Sequence, residues 1–213
     1  MSTIHTFTFN PFQENTYVIS DESKECIVVD PGCYSQEEKD QLAGFIQEND
    51  LKVQKLINTH CHVDHVFGNK FVSELYGVDL YIHLGELPVL AAYLEMGALF
   101  GIQGEPSPTP AGFLEEGEEV GFGNTKLKVI LTPGHSPASI SFYCEEDAYL
   151  IAGDVLFQGS IGRTDLPGGD FTTLINSIKN KLFTLPDSII VYPGHGPYTT
   201  IGEEKRTNPF LIH

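Results

Sequence analysis

Residues 58–69 read NTHCHVDHVFGN and crowd His60, His62, Asp64 and His65 into one short span. Imidazoles and carboxylates are the side chains that hold first-row divalent cations, so this density points first to a metal. The span follows an apolar run, KLIN, that reads as a strand. Three other apolar runs end in the same way: KVILTPGH at His135, AYLIAGD at Asp154 and IIVYPGH at His195. If those strands share one sheet edge, their C-terminal ends deliver all these side chains to a common rim. Strand ends are rigid enough to hold ligands about 2.0 to 2.2 Å from an ion.

Taken singly, each feature has an ordinary explanation. A His-x-His pair can sit on a surface, and Gly134 and Gly194 can simply allow tight turns after their prolines. Taken together, gathering imidazoles and two carboxylates in one dry place is costly without a cation. The set over-supplies a single ion. The partition that uses two assigns His60, His62 and His135 to one ion and Asp64, His65 and His195 to the other, with Asp154 bridging. Zinc suits such mixed coordination, and iron or manganese also fits. Cys61 alternates away from its flanking histidines and is not counted as a ligand. His5, His83 and His213 have no comparable partners and read as ordinary residues.

Outward from this span the chain alternates strands and helices. HTFTF, NTYVIS and CIVVD read as opening strands. Ser35, with Glu38 three residues on, opens a helix through a capping box, and Leu42, Phe45 and Ile46 recur at helical spacing. KVQKLIN is a strand, VFGNKFVSELY a helix and VDLYIH a strand. After Leu87 a helix gives way to GIQGEPSPTPAG, whose prolines and glycines forbid regular pairing. Met96, Phe100 and Phe113 flank this loop and are candidates for a pocket wall, a dimer contact or plain core. The strands EEVGF, LKVILT, SISFY and AYLIAG follow, then the helix FTTLINSIKNKLF, the strand SIIVY and a short helical tail from Glu203. The second half roughly echoes the first, which suggests two packed β-rich halves with outer helices.

The 213 residues suit a single domain, taken as 1–213, with globular rather than disordered composition. A net charge of −17 disfavours nucleic acid and anionic membrane as partners. The N-terminal segment lacks export features, so a cytoplasmic protein is expected, and no stretch is long and apolar enough to span a bilayer. The four cysteines form no CxxC pair and read as small hydrophobes. The expected oligomeric state is a monomer or a homodimer.

HxHxDH, the His after TPG, the Asp in AGDVLF and the His in YPGHG together resemble the metallo-β-lactamase fold hydrolases along almost the whole chain. That resemblance implies an αβ/βα four-layer sandwich with a dinuclear site at one edge of its two sheets. GDVLFQGSIGRTDLPGGD and YPGHGPYTTIGEEKRTNPF are most similar to small bacterial glyoxalase II-type enzymes, which hydrolyse glutathione thioesters such as S-lactoylglutathione. Glyoxalase II proper carries a C-terminal helical extension with basic residues for glutathione, for which this sequence leaves no room. Glutathione carboxylates would then need Arg163, Lys205 and Arg206, candidates by position only. Arg163 and Asp165, just after the Asp154 ligand, are expected to pair near the site. β-Lactam-hydrolysing members typically place a cysteine where Asp154 stands, which argues against that activity.

The implied chemistry is attack by a bridging hydroxide on a thioester carbonyl, with Asp64 both ligating and orienting that nucleophile. A thiolate, with a free-thiol pKa of about 8.5, leaves without a strong general acid. Lactones and other esters are alternative substrates. The rival reading is a persulfide dioxygenase with one iron on His60, His135 and Asp154, which HCHVDH and GRTD also resemble; those enzymes usually carry PAHD where this chain has PGHG. A non-enzymatic metal-binding module is disfavoured because no ligand is missing.

Overall fold

The strand runs of the N-terminal half pair into one sheet and those of the C-terminal half into another. The computed structural model describes residues 1–99 and 101–212; the expectations for Phe100 and His213 lie outside the described residues. The first sheet has the order β1 (Thr3–Phe9), β2 (Glu14–Ser20), β3 (Glu25–Val29), β4 (Lys52–Ile57), β5 (Leu80–Ile82) and β6 (Gly112–Phe113). Its first three strands are antiparallel and its last three connect in parallel. The second sheet begins with β7 (Glu119–Phe122), β8 (Thr125–Leu131), β9 (Ile140–Cys144) and β10 (Tyr149–Gly153). A small hairpin of β11 (Leu156–Phe157) and β12 (Ser160–Ile161) follows, and β13 (Ile190–Pro193) and β14 (Thr199–Thr200) complete the second sheet in the order β14-β13-β10-β9-β8-β7.

Why the sheets face each other can be read along single strands. In β2 and β3, Val18, Cys26 and Val28 point to one face, whereas Tyr17, Ile19, Ile27 and Val29 point to the other. The first face packs under the helices α1 (Gln36–Glu48), α3 (Asn69–Tyr76) and α4 (Leu87–Leu99), meeting Leu42, Ile46, Val72 and Leu90. The second face meets Leu127, Val129, Phe142 and Ile151 of the other sheet. The outer face of that sheet, with Leu150 and Val191, is covered by α5 (Phe171–Asn180) through Leu174 and Ile178 and by Ile201 of α6 (Ile201–Thr207). The result is the expected αβ/βα sandwich. None of the described helices is long and apolar enough to cross a membrane.

The capping box of α1 forms as expected: Ser35 Oγ accepts from the Glu38 N–H at 3.2 Å and Glu38 Oε2 accepts from the Ser35 N–H at 3.0 Å. The helix expected over 66–76 is broken. α2 (Val63–Val66) ends, the chain turns through Phe67 and Gly68, and α3 begins afresh. The break has a local cause, because the Gly68 N–H donates to the Pro31 carbonyl at 2.7 Å, and a Cβ at Gly68 would meet the Cys33 sulfur. β6, β11, β12 and β14 are two residues each, too short for an alternation to be seen in the sequence.

The four strands expected to end in ligands do not share one sheet. β4 belongs to the first, whereas β8, β10 and β13 belong to the second. β8 and β10 each pair antiparallel with β9, and β13 runs parallel to β10, so all three end at the same rim, beside the end of β4. The layer between the sheets is therefore what sets the two rims in register. Ile27→Ala, a truncation at a fully buried site in that layer, is expected to lower stability by about 2–5 kcal/mol. Chemical denaturation should show a lower midpoint with an unchanged slope.

Candidate metal centre

Each of the four rim segments leaves its strand and turns its polar side chain inward. Three trios of metal-binding side chains result, each with its donor atoms within 4.8 Å of one another: His60, His62 and His135; Asp64, His65 and His195; and Asp30, His60 and His65. Asp154 lies between the first two. One of its oxygens is 3.5 Å from His65 Nε2, and the other is 3.4 Å from His135 Nε2 and 3.5 Å from His195 Nε2. His195 Nε2 is also 3.1 Å from Asp64 Oδ2.

The outer hydrogen bonds determine which ring nitrogens carry protons. His135 Nδ1 faces the Arg163 carbonyl at 2.8 Å, and His195 Nδ1 faces the carbonyls of Phe12 and Gln13 at 3.1 Å. Carbonyls only accept, so both Nδ1 atoms donate and both Nε2 atoms offer lone pairs. His65 Nδ1 donates to Asp30 Oδ2 at 3.2 Å. Thr59 gives its one hydroxyl proton to Asp30 at 2.5 Å, which leaves its oxygen to accept from His60 Nδ1 at 3.0 Å. Thus the buried Nε2 atoms of His60 and His65 and the buried Oδ1 of Asp154 face inward with no hydrogen-bond partner. His62 Nδ1 and His135 Nε2 confront each other at 2.8 Å.

Four inward Nε2 atoms and two carboxylates therefore converge on one small space, an arrangement that fits a cation. The charges agree. Burial, with its histidine neighbours, drives His60 well below the usual imidazole range, and burial with His135 pushes His62 down to about 3, so both are neutral. Burial favours protonation of Asp154, but His65 and His195 outweigh it and hold that carboxyl well below its usual range. Burial also pulls His195 down, yet Asp154 and Asp64 prevail and raise the ring to about 10. The carboxylate-rich half of the cluster thus demands positive charge.

Two glycines serve close approach as well as turning. A Cβ on Gly194 would lie 2.0 Å from Asp154 Oδ1, and one on Gly134, which has φ of +128°, would lie 2.3 Å from the Leu174 backbone of α5. Cys61 is fully buried, burial raises its thiol well above the usual range, and it belongs to none of the three trios. His5 stacks on Phe45 at 3.9 Å, and His83 accepts from the Gly85 N–H.

Among the residues expected to meet substrate, Arg163 lines the cavity beside the cluster. Its guanidinium makes a two-pronged pair with Asp165 at 2.7 and 2.8 Å, which holds that exposed carboxyl at about 2. Lys205 and Arg206 are not brought there. β14 runs antiparallel to β13 and returns the chain to the opposite end of that strand, where Lys205 pairs with Asp187 and Arg206 with Glu203. Met96 lines the cavity; Phe113 does not.

Three buried acids were missed. Asp30 accepts from the Thr59 N–H at 2.7 Å in addition to the Thr59 hydroxyl and His65, so it orients ligands rather than ligating. Its signal was present, since CIVVD is one more apolar run ending in a ligand-type residue. Glu86, fully buried, accepts from the Cys61 N–H at 2.9 Å, the Ser136 hydroxyl at 2.7 Å and the Ala138 N–H at 2.9 Å, tying together the loops that carry His62 and His135. Glu14 is also fully buried; it accepts from Thr16 at 2.9 Å and approaches His65 Nδ1 to 3.9 Å. Nothing local in the sequence marks these two.

The sequence pattern of the metallo-beta-lactamase superfamily matches residues 9–195. The hydroxyacylglutathione hydrolase GloC of Haemophilus influenzae is 41% identical over 202 residues, covering 94% of this chain and 93% of its own. The crystal structure of the B3 metallo-beta-lactamase BLEG-1 superposes with a TM-score of 0.91 at 36% identity, over 99% of this chain and 100% of that one. The di-iron-bound form of TTHA1623 superposes with a TM-score of 0.88 at 37% identity, over 97% and 100%.

Asp30→Asn keeps the shape of the side chain but loses charge and one acceptor. It is expected to weaken divalent-metal affinity about 10- to 100-fold, measured by competition with a chromogenic chelator.

Proposed function

The chain belongs to the metallo-beta-lactamase superfamily, and on that premise we propose that it is a metal-dependent thioester hydrolase of the glyoxalase II type, acting on S-lactoylglutathione or a related acyl thioester. The observation that carries this reading is the convergence of His60, His62, Asp64, His65, His135, Asp154 and His195 beside an open cavity, with the buried Nε2 atoms of His60 and His65 and Oδ1 of Asp154 left without a partner. A relative named as a hydroxyacylglutathione hydrolase, matched over nearly all of both chains, supports the thioester. In this reading His60, His62 and His135 hold one divalent cation, Asp64, His65 and His195 hold another, and Asp154 serves both. Zinc is the expected ion, and the di-iron-bound form of a similar structure supports iron as the alternative.

Cations bound there supply Lewis acidity, which brings the ionisation of water to about neutral pH and polarises a carbonyl. The chain's own contribution is orientation. Asp64 accepts a hydrogen bond from the attacking water and aims it at the carbonyl. Asp30, Thr59 and the carbonyls of Arg163, Phe12 and Gln13 hold each imidazole in the tautomer that presents Nε2. Hydrolysis replaces the C–S bond with C–O, and the proton from water ends on the departing thiol or solvent, so the protein need not supply a strong acid.

The reading takes residues 1–213 as a single domain working on a small molecule in the cytoplasm. Four buried, unpaired cysteines support a reducing compartment.

Metal analysis of the purified protein combined with thiol release from S-lactoylglutathione tests the proposal. Two metal equivalents with thiol release are expected. One iron with oxygen uptake on glutathione persulfide, or turnover of a chromogenic β-lactam above that of any thioester, would replace it. Asp64→Asn is expected to lower kcat by about 10²- to 10⁴-fold, and prolonged chelation should abolish thiol release until zinc is restored.

A further inference from the structure

The cavity beside the cluster has a volume of about 610 Å³, within the roughly 300–1,000 Å³ of small-molecule sites. Its walls are unusual for a site expected to take a charged tripeptide. α4 is apolar except for the exposed Glu95, and it meets the core mainly through Leu90 and Tyr93, with Leu87 and Val89 partly packed against it. Val89, Ala92 and Met96, spaced as one helical face, turn to the cavity. Leu166 and Pro167, on the loop after β12, line it as well, and Phe12 and Phe157 border it beside His195. α4 packs on the ligand loop itself, with Gly97 close enough that a Cβ would meet Val63 at 3.2 Å. The apolar face and the metal-binding side chains therefore form one continuous surface.

Charge argues in the same direction. Glutathione carries two carboxylates, and among the described residues lining the cavity Arg163 is the single lysine or arginine. That guanidinium is already occupied by Asp165. Lys205 and Arg206 are at the far end of the sheet, and the chain as a whole carries −17. A thiol carrier with two carboxylates finds little to pair with them here, whereas an alkyl chain finds a surface to bury.

We propose that this cavity is an acyl pocket, and that the preferred substrate is a thioester of an apolar, medium-length acyl group on a thiol of low charge. The proposal rests on the thioester-hydrolase reading above and narrows its substrate class. Water attacks the acyl carbon, the C–S bond breaks, and the products are an apolar carboxylate and a free thiol, with no redox partner required.

The test uses zinc-loaded protein and the acetyl, butanoyl, hexanoyl and octanoyl thioesters of N-acetylcysteamine, with S-lactoylglutathione for contrast. kcat/KM is expected to rise about fourfold for each methylene buried and to exceed that for S-lactoylglutathione by the octanoyl member. A flat or falling series, or S-lactoylglutathione equal to or above the octanoyl thioester, overturns the proposal. Ala92→Glu, placing a charge on the proposed wall, should cut the octanoyl-to-acetyl ratio of kcat/KM by about tenfold or more; an unchanged ratio also overturns it. If no thioester is cleaved, the parent reading fails, and calorimetry with octanoate and with lactate decides the pocket alone. Tighter octanoate binding with a negative heat-capacity change supports an apolar acyl site, and equal affinities end both readings.

Discussion

The convergence of imidazoles and carboxylates on one small space is the constraint on which the remainder of this molecule is organised. Hydrogen bonds on the outer side of His60, His65, His135 and His195 commit Nδ1 as donor in each ring, so that each ring, when neutral, turns the lone pair of Nε2 inward. Asp64 and Asp154 add negative charge to the same space. Such a cluster is unfavourable unless positive charge is supplied, and the upward pull on His195 is the signature of that demand. A divalent cation answers it while leaving the imidazoles neutral, and metal binding therefore contributes to the stability of the fold that builds the site.

Holding these groups together requires rigidity from several directions. The strands β4, β8, β10 and β13 end at adjoining rims of two sheets, and the layer of Ile27, Val29, Val129 and Phe142 between them sets the distance. Asp30 links the end of β3 to Thr59 and His65, at a backbone φ of +48° that few residues other than glycine, asparagine and aspartate adopt readily. Glu86 does the same for the loops of His62 and His135 from the base of α4. Because α4 also presents an apolar face to the cavity, the same element braces the metal-binding side chains and shapes the space where a substrate would lie.

How the acidic surface and the apolar cavity coexist is a matter of scale. The net charge acts over the whole molecule and disfavours large polyanions. The cavity acts over a few ångströms, where the proposed acyl pocket would select through buried alkyl surface and a single occupied guanidinium. The ion pairs of Lys205 and Arg206 at the far end of the second sheet add little to either effect, since both are substantially exposed.

Period and punctuation in the sequence determined most of the elements, because alternation in β2 and β3, the Ser35 capping box and the Pro-Gly breaks are local signals with local physical causes. The side chains of the candidate metal centre were legible for the same reason: an apolar run ending in His or Asp marks a buried strand with a polar tip, a pattern that also marked Asp30. Tertiary structure alone decided that the four strands divide between two sheets, that β14 carries Lys205 and Arg206 away from the cavity, and that Gly68 breaks the helix after His65. It alone recruited Glu14 and Glu86. A buried carboxylate takes its meaning from the donors that reach it, and for Glu86 those are Cys61 and, some fifty residues on, Ser136 and Ala138. Chain separation of that kind carries no periodic trace, and only packing brings the partners together.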